Sequence, residues 1–463
     1  MASTLRIRPA ALILLPALLA SPALADWSNI GGNAGRNGQA GAVGPSAPEL
    51  LWGTGPSSLI AWHPCIAGSR VYLVRQTAFI PSGVPNDSKV YALDLDTGAV
   101  VWSKAIPFET GDWTTNVYGV SQGRVFVGRG GNGSSSSAPV RCLDAETGAE
   151  LWTSVEEVAT GAYDGVVFAP DGDPIFATHT YVRRVDAETG ITVWNTPRSC
   201  SVSGDCGPAI AGDAVYVDEV APGGQVLTRF DLASGAKLYS SPVMPGFLSQ
   251  NTPLADGKGG VFYPRTQGNP TTDFFYAYTD TGTALVQRWN VPCIAGAGSQ
   301  HGVGPDGSVY LLAPNGRLQR RDGLTGVLLD ESDSTVTAAT TQSHFAIDAA
   351  GTVYYGNGGF PGTIFSFTPE LDLNWSVSVP NLNQGGPSLA ADGTLVVCGN
   401  GTVVRAYRSA PPCQPADLNC DGVVDGADLG ILLAAWGGRG PADLNGDGVV
   451  DGADLGELLA AWE

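Results

Sequence analysis

The chain has 463 residues and a formal net charge of −20 at pH 7, with 63 glycines, 32 prolines and eight cysteines. So large an acidic excess argues against nucleic acids and anionic membrane surfaces as partners. The length exceeds one ordinary compact core, and the glycine and proline content favours many short strands joined by turns.

The N-terminus predicts an export signal. Arg6 and Arg8 precede an apolar run over 10–20, and residues 23–25 (ALA) supply a small-residue cleavage site. The run is too short for a membrane anchor, and Pro16 interrupts it. We expect cleavage after residue 25 to release a secreted protein without a membrane span. Its net charge would be −22, because the two arginines are lost.

A strand-turn-strand unit repeats through residues 26–408, and this repeat predicts the fold. The four clear copies are VYALDLDTGAVVW (90–102), VRCLDAETGAELW (140–152), VRRVDAETGITVW (182–194) and LTRFDLASGAKLY (227–239). Weaker copies follow at 276–289, 318–329 and 364–375, and a β-rich run precedes each copy.

The two ends of the repeated region complement each other. An eighth β-rich run (392–398) is followed by 403–408 but by no outer strand, and PELLW (48–52) supplies that strand from the N-terminal side. A borrowed strand of this kind closes a propeller ring and removes its free sheet edges. The sequence therefore predicts an all-β, eight-bladed β-propeller, with seven blades as the alternative.

Most copies contain an aspartate, a glycine four residues later and an aromatic residue after four more. The aspartate suits a tight turn in which its side chain binds backbone N–H groups and the glycine adopts positive φ. The pairs are Asp94/Gly98, Asp144/Gly148, Asp186/Gly190, Asp231/Gly235 and Asp322/Gly326. We expect the aromatic residues (Trp102, Trp152, Trp194 and Tyr239) to pack between neighbouring blades rather than to stack on a ligand.

This Y-x-x-D-x-x-T-G-x-x-x-W unit resembles the PQQ-like propeller repeat, and WSNIGGNAGRNG (27–38) looks like the stretch that opens many secreted members. The resemblance implies one of two kinds of protein. Quinoprotein dehydrogenases hold pyrroloquinoline quinone (PQQ) and Ca²⁺ in the axial funnel of the propeller. Non-catalytic scaffolds, such as the eight-bladed lipoprotein of outer-membrane assembly, use the same repeat without a cofactor.

The sequence favours the non-catalytic kind. It has no adjacent cysteines and no C-x-x-C-H haem motif. His63, His179, His301 and His344 fall in different blades without metal-ligand spacing, and each is expected to be a satisfied strand residue. His301 and His344 are predicted at matching places in successive inner strands, so a funnel site stays open. We predict no catalytic residue, no cofactor-binding residue and no PQQ; the alternatives are a quinoprotein-type dehydrogenase and a polysaccharide-acting enzyme.

Two acidic dodecamers, DLNCDGVVDGAD (417–428) and DLNGDGVVDGAD (443–454), lie 26 residues apart near the C-terminus. Side-chain oxygens at positions 1, 3, 5, 9 and 12, a carbonyl at 7 and a turn glycine at 6 are typical of an EF-hand-type Ca²⁺ loop. A merely solvated tail would not repeat this pattern in register. The predicted ligands are Asp417, Asn419, Asp421, Val423, Asp425 and Asp428, then Asp443, Asn445, Asp447, Val449, Asp451 and Asp454.

One short predicted helix follows each loop, LGILLAAW (429–436) and LGELLAAW (455–462), and no helix-forming run precedes the first loop. This arrangement resembles the type I dockerin domain, which implies a cohesin-like partner and, often, a secreted system for polysaccharide catabolism. Gly426-Ala427 and Gly452-Ala453 replace the usual Ser/Thr recognition residues, so we expect a dedicated cell-surface partner. The predicted helix contacts join Leu432, Leu433 and Trp436 to Leu458, Leu459 and Trp462.

Eight cysteines in an exported chain favour disulfides. Cys200–Cys206 and Cys413–Cys420 would each close a short loop, and Cys65–Cys398 would join the first and last blades. Cys142 and Cys293 receive no predicted partner.

The sequence thus predicts a signal peptide (1–25), a PQQ-like propeller (26–408), a linker (409–416) and a dockerin-like calcium-binding domain (417–463). The protein is expected to be a secreted monomer in which a non-catalytic binding or scaffold propeller carries a docking tail.

Overall fold

The structure is a computed structural model, and it describes residues 27–77, 88–106, 112–131, 139–157, 166–178, 180–200, 207–245, 252–265, 273–295, 299–337, 343–409, 414–419 and 422–462. Within these residues, no helix combines the length and the apolar composition needed to cross a membrane. The predicted signal peptide, His179, Cys206, Cys413, Cys420 and Asp421 lie outside the described residues.

Eight antiparallel sheets form the blades of a β-propeller, which confirms the eight-bladed prediction. Blade 1 contains β2 (Cys65–Ala67), β3 (Arg70–Arg75), β4 (Lys89–Asp94) and β5 (Val100–Ala105). Blade 2 contains β6 (Asp112–Ser121), β7 (Arg124–Gly131), β8 (Pro139–Asp144) and β9 (Glu150–Glu157). Blade 3 contains β10 (Val167–Phe168), β11 (Pro174–Ala177), β12 (Tyr181–Val185) and β13 (Thr192–Pro197). Blade 4 contains β14 (Ala209–Ala211), β15 (Ala214–Ala221), β16 (Gly224–Asp231), β17 (Lys237–Ser240) and the additional β18 (Met244–Pro245).

The other four blades have the same order from the innermost strand outwards. Blade 5 contains β19 (Leu254–Ala255), β20 (Gly260–Arg265), β21 (Phe274–Asp280) and β22 (Leu285–Pro292). Blade 6 contains β23 (Gly302–Val303), β24 (Val309–Leu312), β25 (Leu318–Arg321) and β26 (Leu328–Glu331). Blade 7 contains β27 (His344–Ile347), β28 (Val353–Gly356), β29 (Gly362–Phe367) and β30 (Leu373–Val379). Blade 8 contains β31 (Ser388–Leu389), β32 (Leu395–Cys398) and β33 (Val404–Tyr407), and β1 (Leu50–Trp52) is its outer strand.

The outer strand of blade 8 comes from the N-terminal side, as the sequence predicted. β1 pairs antiparallel with β33, with Leu50 opposite Tyr407. The indole of Trp52 in β1 then donates to the carbonyl oxygen of Leu95 in blade 1, at 2.8 Å. The ring is therefore closed by a non-covalent exchange of one strand between its two ends.

A tryptophan from one blade sits on the turn of the next blade. The Trp102 indole donates to the Ala145 carbonyl of blade 2 at 2.9 Å, and a Cβ added to Gly148 would lie 2.6 Å from the Trp102 ring. Gly148 has a φ of 69°, which is the left-handed region. Trp152 and Trp194 repeat the contact with blades 3 and 4, so the predicted packing role of these residues is confirmed.

The aspartate of each turn also acts as predicted. The carboxylate of Asp144 accepts hydrogen bonds from the backbone N–H and the hydroxyl of Thr147, at 2.8 and 2.7 Å. The Thr147 hydroxyl is the main reason that the pKa of Asp144 is lowered from its ordinary value. The turn therefore keeps its capping charge over the neutral pH range.

Four cysteines of the propeller, Cys65, Cys142, Cys293 and Cys398, are buried with free thiols. The predicted Cys65–Cys398 bridge is therefore wrong. The two residues belong to separate hydrophobic clusters, and burial raises the pKa of Cys65 to about 12 and that of Cys398 to about 11. The pairings Cys200–Cys206 and Cys413–Cys420 stay predictions, because each includes a residue outside the described part of the chain.

Two helices follow the acidic loops, α1 (Gly426–Ala434) and α2 (Gly452–Ala460). Both start three residues earlier than predicted and end two residues earlier. The early start has a local cause: Asp425 caps α1 by accepting from the Ala427 N–H, while the Asp428 side chain accepts from the Asp425 N–H.

The contact between Trp102 and Gly148 predicts the effect of a single methyl group. We expect Gly148→Ala to lower the free energy of unfolding by about 2–4 kcal/mol, because a positive φ costs about 1 kcal/mol and overpacking about 1–3 more. Gly123→Ala is the matched control in blade 2, since Gly123 has a φ of 73° but no atom within 4 Å of the position that its added Cβ would take. Chemical denaturation should show the larger loss for Gly148→Ala; equal losses would contradict the packing argument.

Candidate functional site

The N-terminal segment 27–45 runs around the central channel, and we call it the plug. Its backbone hydrogen-bonds to the innermost strands of six blades in chain order. The bonds join Trp27 to Ile66, Ser28 to Val120, Ala34 to Ile210, Gly35 to Ala255, Asn37 to Val303 and Gly38 to Ile347, at 2.7–3.0 Å. These contacts lie where the innermost strand of each blade turns into the second strand, so the plug fills that end of the channel.

In seven blades, one residue has the same register position near the beginning of the innermost strand. This is the opposite end of the strand from the plug contacts. His344 pairs with Gly356 in blade 7, and Asn116 pairs with Gly128 at the same level in blade 2. In the other blades, the equivalent residue stands two positions before the first residue of the innermost strand that pairs with the second strand. The equivalent residues, which we call the belt, are His63, Asn116, Gly207, Thr252, Gln300, His344 and Gly386, in blades 1, 2, 4, 5, 6, 7 and 8.

Side-chain contacts between blades join two pairs of belt residues. The Thr252 hydroxyl donates to the Gln300 amide oxygen at 3.2 Å. The imidazoles of His344 and His63 lie 5.4 Å apart between ring centroids, although blade 8 stands between their blades.

One bond to the plug determines the state of His63. The Trp27 indole N–H donates to Nε2 of His63 at 2.7 Å, and Trp27 is fully buried. Because an acceptor nitrogen carries no proton, neutral His63 bears its proton on Nδ1. His63 therefore presents an N–H donor, and its Nε2 lone pair is occupied.

Several polar atoms near the belt have no hydrogen-bond partner among the described residues. They are both ring nitrogens of His344, Nδ1 of His63, and both amide atoms of Asn116 and Gln384. Gln384 stands two residues before Gly386 in blade 8, so these four residues span the consecutive blades 7, 8, 1 and 2; we call them the arc. All four are at most 7% exposed.

The energetic weight of the arc is large. An unpartnered buried polar group costs about 1–3 kcal/mol, and the whole free energy of unfolding of a domain is about 5–15 kcal/mol. Seven dry polar atoms would therefore offset much of the stability.

The channel histidines are held neutral. Burial lowers the pKa of both His301 and His344 to about 3, and burial followed by repulsion from His344 lowers the pKa of His63 well below 6.5. Arg36 of the plug is also buried, and its Nε donates to the Pro208 carbonyl at 2.7 Å.

The predicted match between His301 and His344 is wrong by one residue. Register places His301 at the level of Phe345, and the two rings stack with centroids 6.1 Å apart. The residue that matches His344 is Gln300. A one-residue offset turns a side chain to the opposite face of a strand, so His301 packs toward Phe275, at 5.1 Å, rather than joining the belt.

Sequence reasoning missed Asn116, Thr252, Gln300 and Gln384. Their identities differ from blade to blade, and a one-residue bulge between Val117 and Gly119 displaces Asn116 in the register. Their position could have been found from the sequence, because each belt residue lies eight or nine residues before the first valine or leucine of the second strand of its blade.

The structure describes the whole second acidic loop. Two of its carboxylates, those of Asp443 and Asp454, accept hydrogen bonds from backbone N–H groups of the loop. Asp443 accepts from the Gly448 N–H at 2.8 Å, and Asp454 accepts from Leu444, Asn445 and Asp451 N–H groups at 2.7–3.1 Å. The Asp451 N–H is the first cause of the lowered pKa of Asp454, which therefore stays ionised. Oδ1 of Asp443 is buried without a described partner.

The first loop repeats these bonds where it is described. Asp417 accepts from the Gly422 N–H at 2.9 Å, and Asp428 accepts from the N–H groups of Asn419 and Asp425 at 3.1 and 2.9 Å. Across the described residues, no group of three or more His, Cys, Asp or Glu side chains is already arranged around a metal position.

The core of the tail consists of residue pairs related by the 26-residue repeat. They are Ala416/Ala442, Val424/Val450 and Leu432/Leu458. Of the predicted helix contacts, Leu432 and Leu458 are fully buried, while Leu433 and Leu459 stay 51% and 53% exposed. Successive helical residues point about 100° apart, which explains the difference. Trp436 and Trp462 lie beyond the helix ends and are 48% and 42% exposed.

Comparison with known proteins agrees with this architecture. One family model, described as outer membrane protein assembly factor BamB, matches residues 86–328, just over half of the chain. The chain belongs to this family. No curated protein matches the sequence.

Solved structures share the fold of this family member at low identity. BamB from Moraxella catarrhalis is 15% identical with a TM-score of 0.50, covering 72% of this chain and 93% of that chain. The quinohemoprotein alcohol dehydrogenase from Comamonas testosteroni is 14% identical with a TM-score of 0.58, covering 96% and 95%. The quinohemoprotein alcohol dehydrogenase ADHIIG from Pseudomonas putida HK5 is 13% identical with a TM-score of 0.55, covering 83% and 80%.

The neutral histidines predict acid sensitivity. Their folded-state pKa values lie below the unfolded value of about 6.5, so the unfolded chain takes up protons first as the pH falls. Their contribution is complete above about pH 6.5 and is lost toward pH 3, with a slope approaching 1.4 kcal/mol per pH unit for each histidine, about the value of one proton. Urea denaturation from pH 7 to 4 should show a shallower loss for His301→Phe/His344→Gln than for the wild type. Parallel curves would contradict this assignment.

Proposed function

We propose that the protein is a secreted, non-catalytic propeller that binds or scaffolds other molecules and docks through a calcium-dependent C-terminal tail. The observation that carries the proposal is the buried Oδ1 of Asp443, which lacks a described partner inside an acidic loop. A Ca²⁺ ion prefers six to eight oxygen ligands, and a carboxyl oxygen held in the loop without a described partner suits such an ion.

The loop residues fit Ca²⁺ by their chemistry. The ion would be held in the second loop by Asp443, Asn445, Asp447, the Val449 carbonyl, Asp451 and Asp454, and in the first loop by the residues at the same positions. Bound Ca²⁺ would neutralise the clustered carboxylates. The chain itself supplies the turn glycines, the ionised position-12 aspartates and the caps that start α1 and α2.

Docking is supported by the surface of the tail. Leu433 and Trp436 on one half, and Leu459 and Trp462 on the other, are each 42–53% exposed. Exposed aromatic and aliphatic side chains on a small module are typical of a protein-binding surface. The partner would be a cohesin-like or cell-surface protein, and polysaccharide catabolism is the process to which such a module would connect the propeller.

Calcium stoichiometry tests the tail. We expect the full-length protein to bind two Ca²⁺ ions in calorimetric titration and Asp443→Asn/Asp454→Asn to bind one, because the second loop loses two carboxylate ligands. Asp372→Asn, which removes an exposed carboxylate from blade 7, is the control and should still bind two. Fewer than two ions in the wild type would refute the calcium proposal.

The alternative is a quinoprotein-type dehydrogenase. Its specific support is the channel itself, where four buried polar residues have side-chain atoms without hydrogen-bond partners among the described residues. We expect no turnover after reconstitution with PQQ and Ca²⁺ in a dye-linked assay over common alcohols and aldoses. Turnover above a heat-inactivated control would replace the non-catalytic proposal with this alternative.

A further inference from the structure

The outer surface where blade 5 meets blade 6 combines exposed aliphatic side chains with two arginines. Leu324 and Val327, in the turn that leads from β25 to β26, are 67% and 59% exposed. Leu328 and Leu329, which begin β26, are 44% and 45% exposed. The patch consists of Arg288, Arg321, Leu324, Val327, Leu328 and Leu329. We propose that it binds an extended, acidic peptide segment of a partner protein, separately from docking by the tail.

Both arginines contact the backbone of the turn that carries these aliphatic side chains. Nη1 of Arg288, from blade 5, donates to the Gly323 carbonyl oxygen at 3.1 Å. Nη1 of Arg321, from β25, donates to the Gly326 carbonyl oxygen at 2.8 Å. The Trp289 indole also donates to the Gly323 oxygen, at 3.2 Å, so blade 5 is packed against this turn. Two positive charges therefore lie at one exposed apolar turn.

Neither arginine forms an ion pair with a carboxylate of the described residues. Nε of Arg288 donates to the Thr279 hydroxyl at 2.6 Å, and Arg321 donates twice to the amide oxygen of Gln319, at 3.0 and 2.7 Å. Each guanidinium has five N–H groups and is always charged. Both arginines therefore keep N–H groups for a further acceptor, and both are only half-buried.

The acidic residues beside the patch already have partners. Asp330 lies 2.9 Å from Arg320 in an ion pair. Glu331 is the acidic residue whose charge acts on Arg321, but it lies 3.7 Å from the Arg317 guanidinium and accepts from Gln319. A carboxylate from outside would therefore meet two arginines whose charges the described residues leave without a direct counter-ion.

The position of β26 favours an extended peptide as the source of that carboxylate. β26 is the outermost strand of blade 6, and no described strand pairs with its outer edge. Such an edge offers backbone N–H and C=O groups to an added strand, and charged side chains usually protect it. Here residues 327–329 are all aliphatic and exposed.

Strand register explains why the peptide should mix acidic and aliphatic residues. Leu328 pairs with Arg321, so the two side chains lie on the same face of the sheet. An added strand would place alternate side chains on that face, beside Leu328 and near both guanidiniums. The chain as a whole carries a net charge of −20, which disfavours long polyanions such as nucleic acids. A short segment with a few carboxylates fits better.

Fluorescence polarisation on the full-length, calcium-loaded protein tests the inference. The probe is a fluorescein-labelled peptide of four Val-Glu repeats. Peptides of four Val-Lys and four Ser-Glu repeats are the comparisons, because each keeps only one of the two features. We expect one Val-Glu peptide to bind per chain, and both comparison peptides to bind about tenfold more weakly or less.

Two variants test the patch itself. Arg288→Gln/Arg321→Gln should weaken binding of the Val-Glu peptide by about tenfold or more, because hydrogen bonds between charged groups are lost. Leu324→Glu should weaken it as well, by adding a like charge to the apolar surface. Since Leu324 is 67% exposed, its replacement should leave the melting temperature unchanged, so lost binding would not reflect unfolding.

Matched controls separate the patch from net charge and from the tail. Arg124→Gln/Arg141→Gln removes the same charge from blade 2, where these arginines pair with Glu188 and Glu150. Leu433→Ser/Leu459→Ser changes the exposed surface of the tail. Both double variants should bind the Val-Glu peptide as the wild type does.

The outcomes decide the inference without reference to calcium stoichiometry. It is overturned if the Val-Glu peptide does not bind the wild type, if the Val-Lys peptide binds equally well, or if the patch variants bind as the wild type does. Loss of binding in the tail variant would transfer the site to the tail. A dimer of the wild type that Leu324→Glu dissociates would identify a second copy of this chain as the occupant and would also overturn it.

Discussion

Backbone hydrogen bonds between the plug and the innermost strands are the interaction on which the ring depends. Several of these strands contain only two or three residues, such as β19 and β23, and their inner edges would otherwise be unpaired. Buried backbone groups require partners. The plug provides them to blades 1, 2, 4, 5, 6 and 7, so one N-terminal segment joins six separate sheets from the inside.

The same segment closes the ring from the outside. Shortly after the plug, the chain becomes β1 and completes blade 8, where Trp52 reaches blade 1. At five junctions between blades, a tryptophan contacts the turn glycine of the next blade: Trp52 with Gly98, Trp102 with Gly148, Trp152 with Gly190, Trp194 with Gly235 and Trp289 with Gly326. The innermost and outermost parts of the ring therefore depend on residues 27–52, which couples the channel to ring closure.

The plug also contacts the polar residues of the channel directly. The plug fills one end and positions Trp27 against His63, and His63 in turn lies against His344, although blade 8 stands between their blades. Low dielectric keeps both imidazoles neutral. The two imidazoles are therefore neutral groups inside an acidic protein, and in this the channel differs from the carboxylate-rich tail.

Much of the architecture could be predicted from the sequence because it is local and repeated. The Asp-to-Gly turn, the tryptophan that follows it and the borrowed strand at 48–52 are each visible as a short pattern, and the acidic loops are visible as a duplicated spacing. The start of α1 differs from the predicted start only because its capping residue, Asp425, belongs to the acidic loop.

The site depended on tertiary structure. His301 and His344 looked equivalent, yet a one-residue difference in strand register puts them on opposite faces, and register is determined by hydrogen bonds between segments far apart in the chain. The belt joins residues from seven blades whose identities do not repeat. Sequence by itself determined the repeating unit, because its turn and its packing residues are encoded within a few positions. Only the closed ring decided which polar side chains share the channel, because that proximity arises when blades 7, 8, 1 and 2 are brought around one axis.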